Sequence, residues 1–135
     1  MITEDYVSFE TAKLLKDKGF NIPCRSNYRS KYKDCKVPFY HNTPKNFNGK
    51  EYEGLNSEWF SAPTLQMAMK WLREKHNWTI CISPYWAEGD MRNKLTWYYY
   101  IYSLIDNRSF RESSYTDNYT EACENAIKYC LENLI

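Results

Sequence analysis

Cysteine, histidine and carboxylate side chains are where catalysis or metal binding would begin. Cys24, Cys35 and His41 form the one grouping of soft ligands in the chain. Their spacing, C-x10-C-x5-H, is not that of a zinc finger, and no C-x2-C pair is present. The pattern predicts no metal site and no cofactor. Cys123 and Cys130 stand seven residues apart, two turns of one helical face, and read as small core hydrophobes. A thiol nucleophile needs a base beside it in space. His41 follows Cys35 by six residues in a polar stretch, and His76 falls at a helix end. The chain contains no G-x-S-x-G, H-E-x-x-H or P-loop pattern. The carboxylate pairs Glu51/Glu53 and Glu88/Asp90 lie in loop-like stretches and read as solvated charge. The expectation is a non-enzymatic protein.

Two stretches carry residues suited to binding. In 95–105, LTWYYYIYSLI, alternate residues of a strand point to opposite sides. One side takes Leu95, Trp97, Tyr99, Ile101 and Ile105, the more apolar set, which should meet helices. The other takes Tyr98, Tyr100 and Tyr102, a tyrosine row suited to a protein partner or to a second copy in a homo-oligomer. The alternative is the basic segment 25–36. There Arg25, Arg29, Lys31 and Lys33 surround Tyr28 and Tyr32, a mixture suited to phosphate contact and base stacking. Asp34 interrupts it, and 18 Lys+Arg against 17 Asp+Glu leave the chain at +1, so any nucleic-acid binding is expected to be weak.

The elements that must position these residues follow from periodicity and caps. Ser8 as N-cap, Phe9, Ala12 and Leu15 at helical spacing and Gly19 after them predict a helix over 8–18. Tyr28, Ser30 and Tyr32 alternate with charged residues and predict an edge strand or hairpin arm within 24–36, with a second short strand at 37–40. Residues 41–58 are rich in Asn and Gly and read as a long loop, with a short strand at 52–55. Leu65, Ala68, Met69 and Leu72 predict a central helix within 61–77, with Ser61 or Thr64 as N-cap and Asn77 as C-cap. A strand from Trp78 should stop at Pro84, and Gly89-Asp90 should lie in the connection to 95–105. Asp106-Asn107 is a turn, and 110–115 a return strand. Asn118 with Glu121 three residues on opens a last helix, whose stripe runs from Tyr119 through Ala126 and Ile127 to Leu134.

The order helix, strands, helix, strands, helix predicts an α+β fold: a single domain over 1–135, with an antiparallel sheet of about three to five strands and three helices packed mainly on one face. Thirteen Tyr, five Trp and six Phe make the chain 18% aromatic although its mean hydropathy is −0.77. Rings that keep a polar handle suit half-buried sheets and interfaces alike. The longest apolar-rich run, 95–105, falls well short of the roughly 20 residues a membrane helix needs, so no membrane span is expected. The start, MITEDYVSFE, carries no apolar signal-like run, which makes the cytoplasm the expected compartment.

Three segments carry a resemblance: YVSFETAKLLKDKGF, SAPTLQMAMKWLRE and EACENAIKYCLENLI. They resemble small proteins of uncharacterised role encoded in bacteriophage and mobile-element DNA of gut bacteria. The resemblance implies an accessory protein working inside a bacterial cell, and it implies no activity, cofactor or catalytic residue. Because spacing and compartment both argue against disulfides and zinc, thermal melts should be the same with and without reductant, and with and without chelator. A large fall in melting temperature with either reagent contradicts this reading.

Overall fold

Ser8 sets the start of the first helix. In the computed structural model its Oγ accepts from the Thr11 amide at 3.2 Å, and α1 runs Phe9–Asp17. Gly19 follows the helix at φ 88°, a left-handed conformation that costs glycine no Cβ clash. The structure describes residues 1–89, 92–112 and 115–135. Asp90, named above for a connection and a carboxylate pair, and residues 113 and 114 of the expected return strand lie outside them. The class is α+β: the described residues form three α-helices and two three-stranded antiparallel sheets, where the sequence reads as one sheet. The described residues gather into two compact units, Met1–Ala68 and Met69–Ile135.

In the first unit, β1 (Cys24–Arg29) is the middle strand, flanked by β2 (Phe39–Lys45) and β3 (Trp59–Ser61). The alternation Tyr28, Ser30, Tyr32 does not extend as an edge strand. Beyond Arg29 the chain turns into a 3-10 helix, Ser30–Tyr32. The reason is bonding to a distant segment: the Ser30 amide donates to the Glu58 carbonyl at 2.8 Å, and the Lys31 amide to Ser57 Oγ at 2.8 Å. Tyr28 is buried, its ring edge-on to Phe9 at 5.6 Å and its hydroxyl donating to the Val7 carbonyl at 2.8 Å. β2 tolerates Pro44 because it is an edge strand.

The segment after β2 is not a free loop. Phe47 is buried and its amide donates to Ser61 Oγ at 2.9 Å. Asn48 accepts from the Ser61 amide at 2.8 Å and donates to the Phe20 carbonyl at 2.9 Å. Lys50–Tyr52 is a 3-10 helix, and no strand forms at 52–55. Ser61 is a strand residue, not an N-cap. Thr64 takes that role, its Oγ1 accepting from the Met67 amide at 3.1 Å, and α2 runs Leu65–His76. Asn77 ends it at φ 61°.

In the second unit, β4 (Trp78–Gly89) and β5 (Arg92–Ser103) pair along their whole lengths, and β6 (Ser109–Arg111) lies on the far side of β5. Pro84 does not stop β4. It stands opposite Trp97, whose backbone N–H and carbonyl both bond Thr116 and so point away from β4. Pro84 therefore occupies a position whose N–H would face the outer edge, and no ladder bond is lost. β5 begins earlier than the apolar run and ends at Ser103, which leaves Ile105 exposed rather than on the core side.

Asn118 caps α3 (Tyr119–Asn133), accepting from the Glu121 amide at 2.7 Å. Its buried stripe is Ala122, Cys123, Ala126, Ile127, Cys130 and Leu131, and the helix packs on β4 and β5. Tyr119, at the stripe's end, is exposed, with its ring edge-on to Trp97. Ala126 has no accessible surface. Ala126→Asp places an unpaired carboxylate there, at a cost of several kcal/mol, about the whole stability of a small domain. The variant should show no cooperative thermal transition by circular dichroism. A melting temperature equal to the parent's means that Ala126 faces water.

Candidate functional site

The alternation in β5 divides the strand as its chemistry requires. Tyr99 is 5% exposed and Ile101 0%, on the side that meets α3. The Tyr99 ring lies 6.3 Å from that of Tyr129 on the helix, and Phe110 of β6 lies 5.7 Å from the Tyr129 ring. Burial pushes the Tyr99 hydroxyl well above its ordinary value, and the Glu112 carboxylate beside it pushes the same way. Tyr98, Tyr100 and Tyr102 project to the opposite side. Tyr102 is 41% exposed, and the other two are half-buried.

Antiparallel register shows what surrounds the row. On β4, Thr79, Cys81 and Ser83 stand directly opposite Tyr102, Tyr100 and Tyr98. These short side chains make a low strip beside the rings. On β6, Ser109 and Arg111 face Tyr102 and Tyr100. The rings touch one another: Tyr98 meets Tyr100 edge-on at 5.4 Å, and Tyr100 stacks on Tyr102 at 5.8 Å. Tyr115 extends the surface, edge-on to Tyr98 at 5.5 Å and stacked on Tyr85 at 4.9 Å.

Arg111 lies over Tyr98 at 5.1 Å and over Tyr100 at 5.4 Å, and its Nη2 donates to the Tyr115 hydroxyl at 3.0 Å. No carboxylate among the described residues forms an ion pair with it. The face is thus a sheet of phenol rings, hydroxyls and one unpaired guanidinium. Sequence reasoning found the three tyrosines of β5. It missed Tyr85, Tyr115 and Arg111, because those join the row only through strand register, which one sequence does not display.

The basic segment is divided by the fold. Arg25 is exposed and donates to the Tyr40 hydroxyl at 3.2 Å and the Asn42 carbonyl at 2.8 Å. Tyr28 cannot stack on a base, because its ring lies in the core; this corrects its place in a nucleic-acid surface. Arg29 is held between Trp59 and Phe39. Lys31 lies over the exposed Tyr32 ring, which is itself edge-on to Phe39 at 5.4 Å. Lys33 lines an open cleft of about 570 Å³ with Ser8, Phe9 and Tyr28, where Glu10 and Asp34 offset the lysine charge.

Cys24, Cys35 and His41 are not brought together. Cys24 is half-buried in β1 with its thiol donating to the Ser26 carbonyl, while Cys35 is exposed after the 3-10 turn. Among the described residues no group of three or more His, Cys, Asp or Glu is placed to hold a metal ion, and all five cysteines are free thiols. Among the same residues no helix is long and apolar enough to cross a membrane. Compared with protein families, curated proteins and solved structures, the chain matches none.

The core beneath the tyrosine face has a titration signature. Burial pushes the Cys130 thiol up to about 12 from an ordinary 9.0. A raised value means the neutral thiol is favoured in the fold. Its contribution is complete below pH 9 and is lost as pH rises toward 12. The unfolding free energy should fall through this window, and Cys130→Ala should reduce the slope by up to about 1.4 kcal/mol per pH unit. Denaturant melts across the window measure this. Parallel slopes for parent and variant contradict the burial of Cys130.

Proposed function

We propose that this chain is a non-enzymatic accessory protein that binds another protein, or a second copy of itself, through the tyrosine face of the β4-β5-β6 sheet. The observation that carries the reading is the two-sided division of β5. The helix takes the Tyr99 and Ile101 side, leaving Tyr98, Tyr100 and Tyr102 as a continuous ring surface with Arg111 across it. Tyrosine gives a large contact area at small entropy cost, and its hydroxyl satisfies polar groups of a partner. Arg111 has no carboxylate partner among the described residues, so a partner presenting one beside apolar side chains fits the face best. The helical resemblance to phage and mobile-element proteins supports a place inside a bacterial cell, in the cytoplasm.

Nucleic acid through the segment 25–36 is the weaker reading, because the buried Tyr28 ring removes one of its two stacking platforms. Tyr98→Ser with Tyr102→Ser should leave the circular dichroism spectrum and the cooperative melt intact. It should also abolish capture of proteins from nuclease-treated bacterial lysate, together with any self-association seen by light scattering. Arg111→Ala alone should weaken capture by about tenfold and flatten its salt dependence. Unfolding of the double variant means that the rings are core. A folded variant that keeps every partner places the binding surface elsewhere.

A further inference from the structure

The first unit holds a second arginine without a counter-ion, and its surroundings are more exacting. Arg29 ends β1, and its guanidinium lies 3.9 Å from the centre of the Trp59 ring system and 4.4 Å from that of Phe39. Both rings stand within cation-π distance of the fork. Its Nε donates to Asn27 Oδ1 at 3.2 Å, which fixes the rotation of the group in its plane. The side chain is half-buried, yet none of the ion pairs among the described residues includes it. An arginine cannot shed its charge, so this one is held partly out of water with no carboxylate to compensate it. The two Nη groups carry four donors, and none has a partner among the described residues.

The groups around it are short of acceptors as well. Asn27 is buried on the same side of β1 as Arg29, and its Nδ2 has no hydrogen-bond partner. β2 adds His41, its ring tilted against Phe47 at 4.9 Å and 6.2 Å from Trp59, and Lys45 at the strand's end. Burial holds His41 below its ordinary value, and the positive fields of Arg29 and Lys45 hold it lower still. Surplus donors and converging positive charge are what an oxyanion site presents before it is filled. A guanidinium with its plane and rotation fixed offers two parallel N–H bonds to a carboxylate or phosphate with little entropy left to lose.

We infer that Arg29, with His41 and Lys45 of the neighbouring strand, forms a recognition site for a small oxyanion, a phosphate or carboxylate group. The site belongs to the first unit and is independent of the tyrosine face. Its occupant would bond the Nη groups of Arg29, because the Nε–H is already given to Asn27. Lys45, exposed on β2 four residues from His41, adds positive charge, and neutral His41 adds a donor or acceptor according to its tautomer. The Trp59 and Phe39 rings beside this half-buried guanidinium lower the local polarity, which strengthens a bond made there relative to one made by an exposed arginine.

The chain has two histidines, His41 and His76, so each imidazole can be followed by NMR, together with the Arg29 Nε–Hε signal. The protein is titrated separately with sodium phosphate, sodium acetate and, at equal ionic strength, sodium chloride. Phosphate or acetate should shift the Arg29 signal saturably and raise the His41 pKa, because a bound anion offsets the cation field; His76 should not move. Response to acetate alone identifies a carboxylate site, and response to phosphate alone a phosphate site. Arg29→Gln should abolish saturation. Lys45→Gln, on an exposed edge residue, should weaken binding severalfold with the fold unchanged, which keeps the test decisive if Arg29→Gln disturbs packing on Trp59. Shifts that are linear and shared by chloride overturn the inference. So does saturation that survives unchanged in the folded Lys45→Gln variant.

Discussion

The packing of α3 against one side of β5 is the constraint from which the second unit follows. Tyr99 and Ile101 fill the interface with Ala122, Cys123, Ala126, Ile127 and Cys130, and none of these residues has more than a trace of exposed surface. Burial of this apolar set contributes roughly 25 cal/mol for each Å² removed from water, and a one-residue slip of β5 would forfeit it. Register is therefore fixed by the helix. Once it is fixed, Tyr98, Tyr100 and Tyr102 have one direction left to point. The candidate binding face is a by-product of the core, which is why its rings are aligned.

The same unit guards its open edge. β4 is long, and no strand among the described residues pairs with its outer side, a template for uncontrolled strand addition. Pro84 stands in the middle of that edge, at a position whose N–H would point outward, and so deletes a donor a visiting strand would need. Binding through ring contacts on the face and resistance to pairing at the edge are compatible, because they use different groups of the same strands. In the first unit aromatic rings serve a different end. There they wrap Arg29, and the loop carrying Phe47 and Tyr52 is tied down by Asn48 and Ser61.

What was legible in the sequence was whatever depends on neighbours within a turn or a pleat. The caps of α1 and α3, the stripe of α3 and the alternation of β5 are local, and each is present. Proline in β4 misled because its effect depends on which side of the strand its partner lies, a property of register. The 24–36 segment misled for a similar reason. Its alternation is real, but the bonds from Ser30 and Lys31 to residues 57 and 58 turn the chain after Arg29. Arg111, Tyr115 and the Trp59–Arg29–Phe39 stack unite residues far apart in sequence, and only pairing of strands reveals them. The division of strands into two sheets is likewise a matter of long-range pairing.

The central claim is that Tyr98, Tyr100 and Tyr102 form an outward surface that a partner covers while Tyr99 stays in the core. Tyrosine-directed radical footprinting read by mass spectrometry tests it residue by residue. In the free protein Tyr102 should be modified fastest, Tyr98 and Tyr100 at intermediate rates and Tyr99 hardly at all. In the captured complex the three face residues should become protected together, with Tyr99 unchanged. Equal modification of Tyr99 and its neighbours in the free protein, or an unchanged pattern in the complex, contradicts the account.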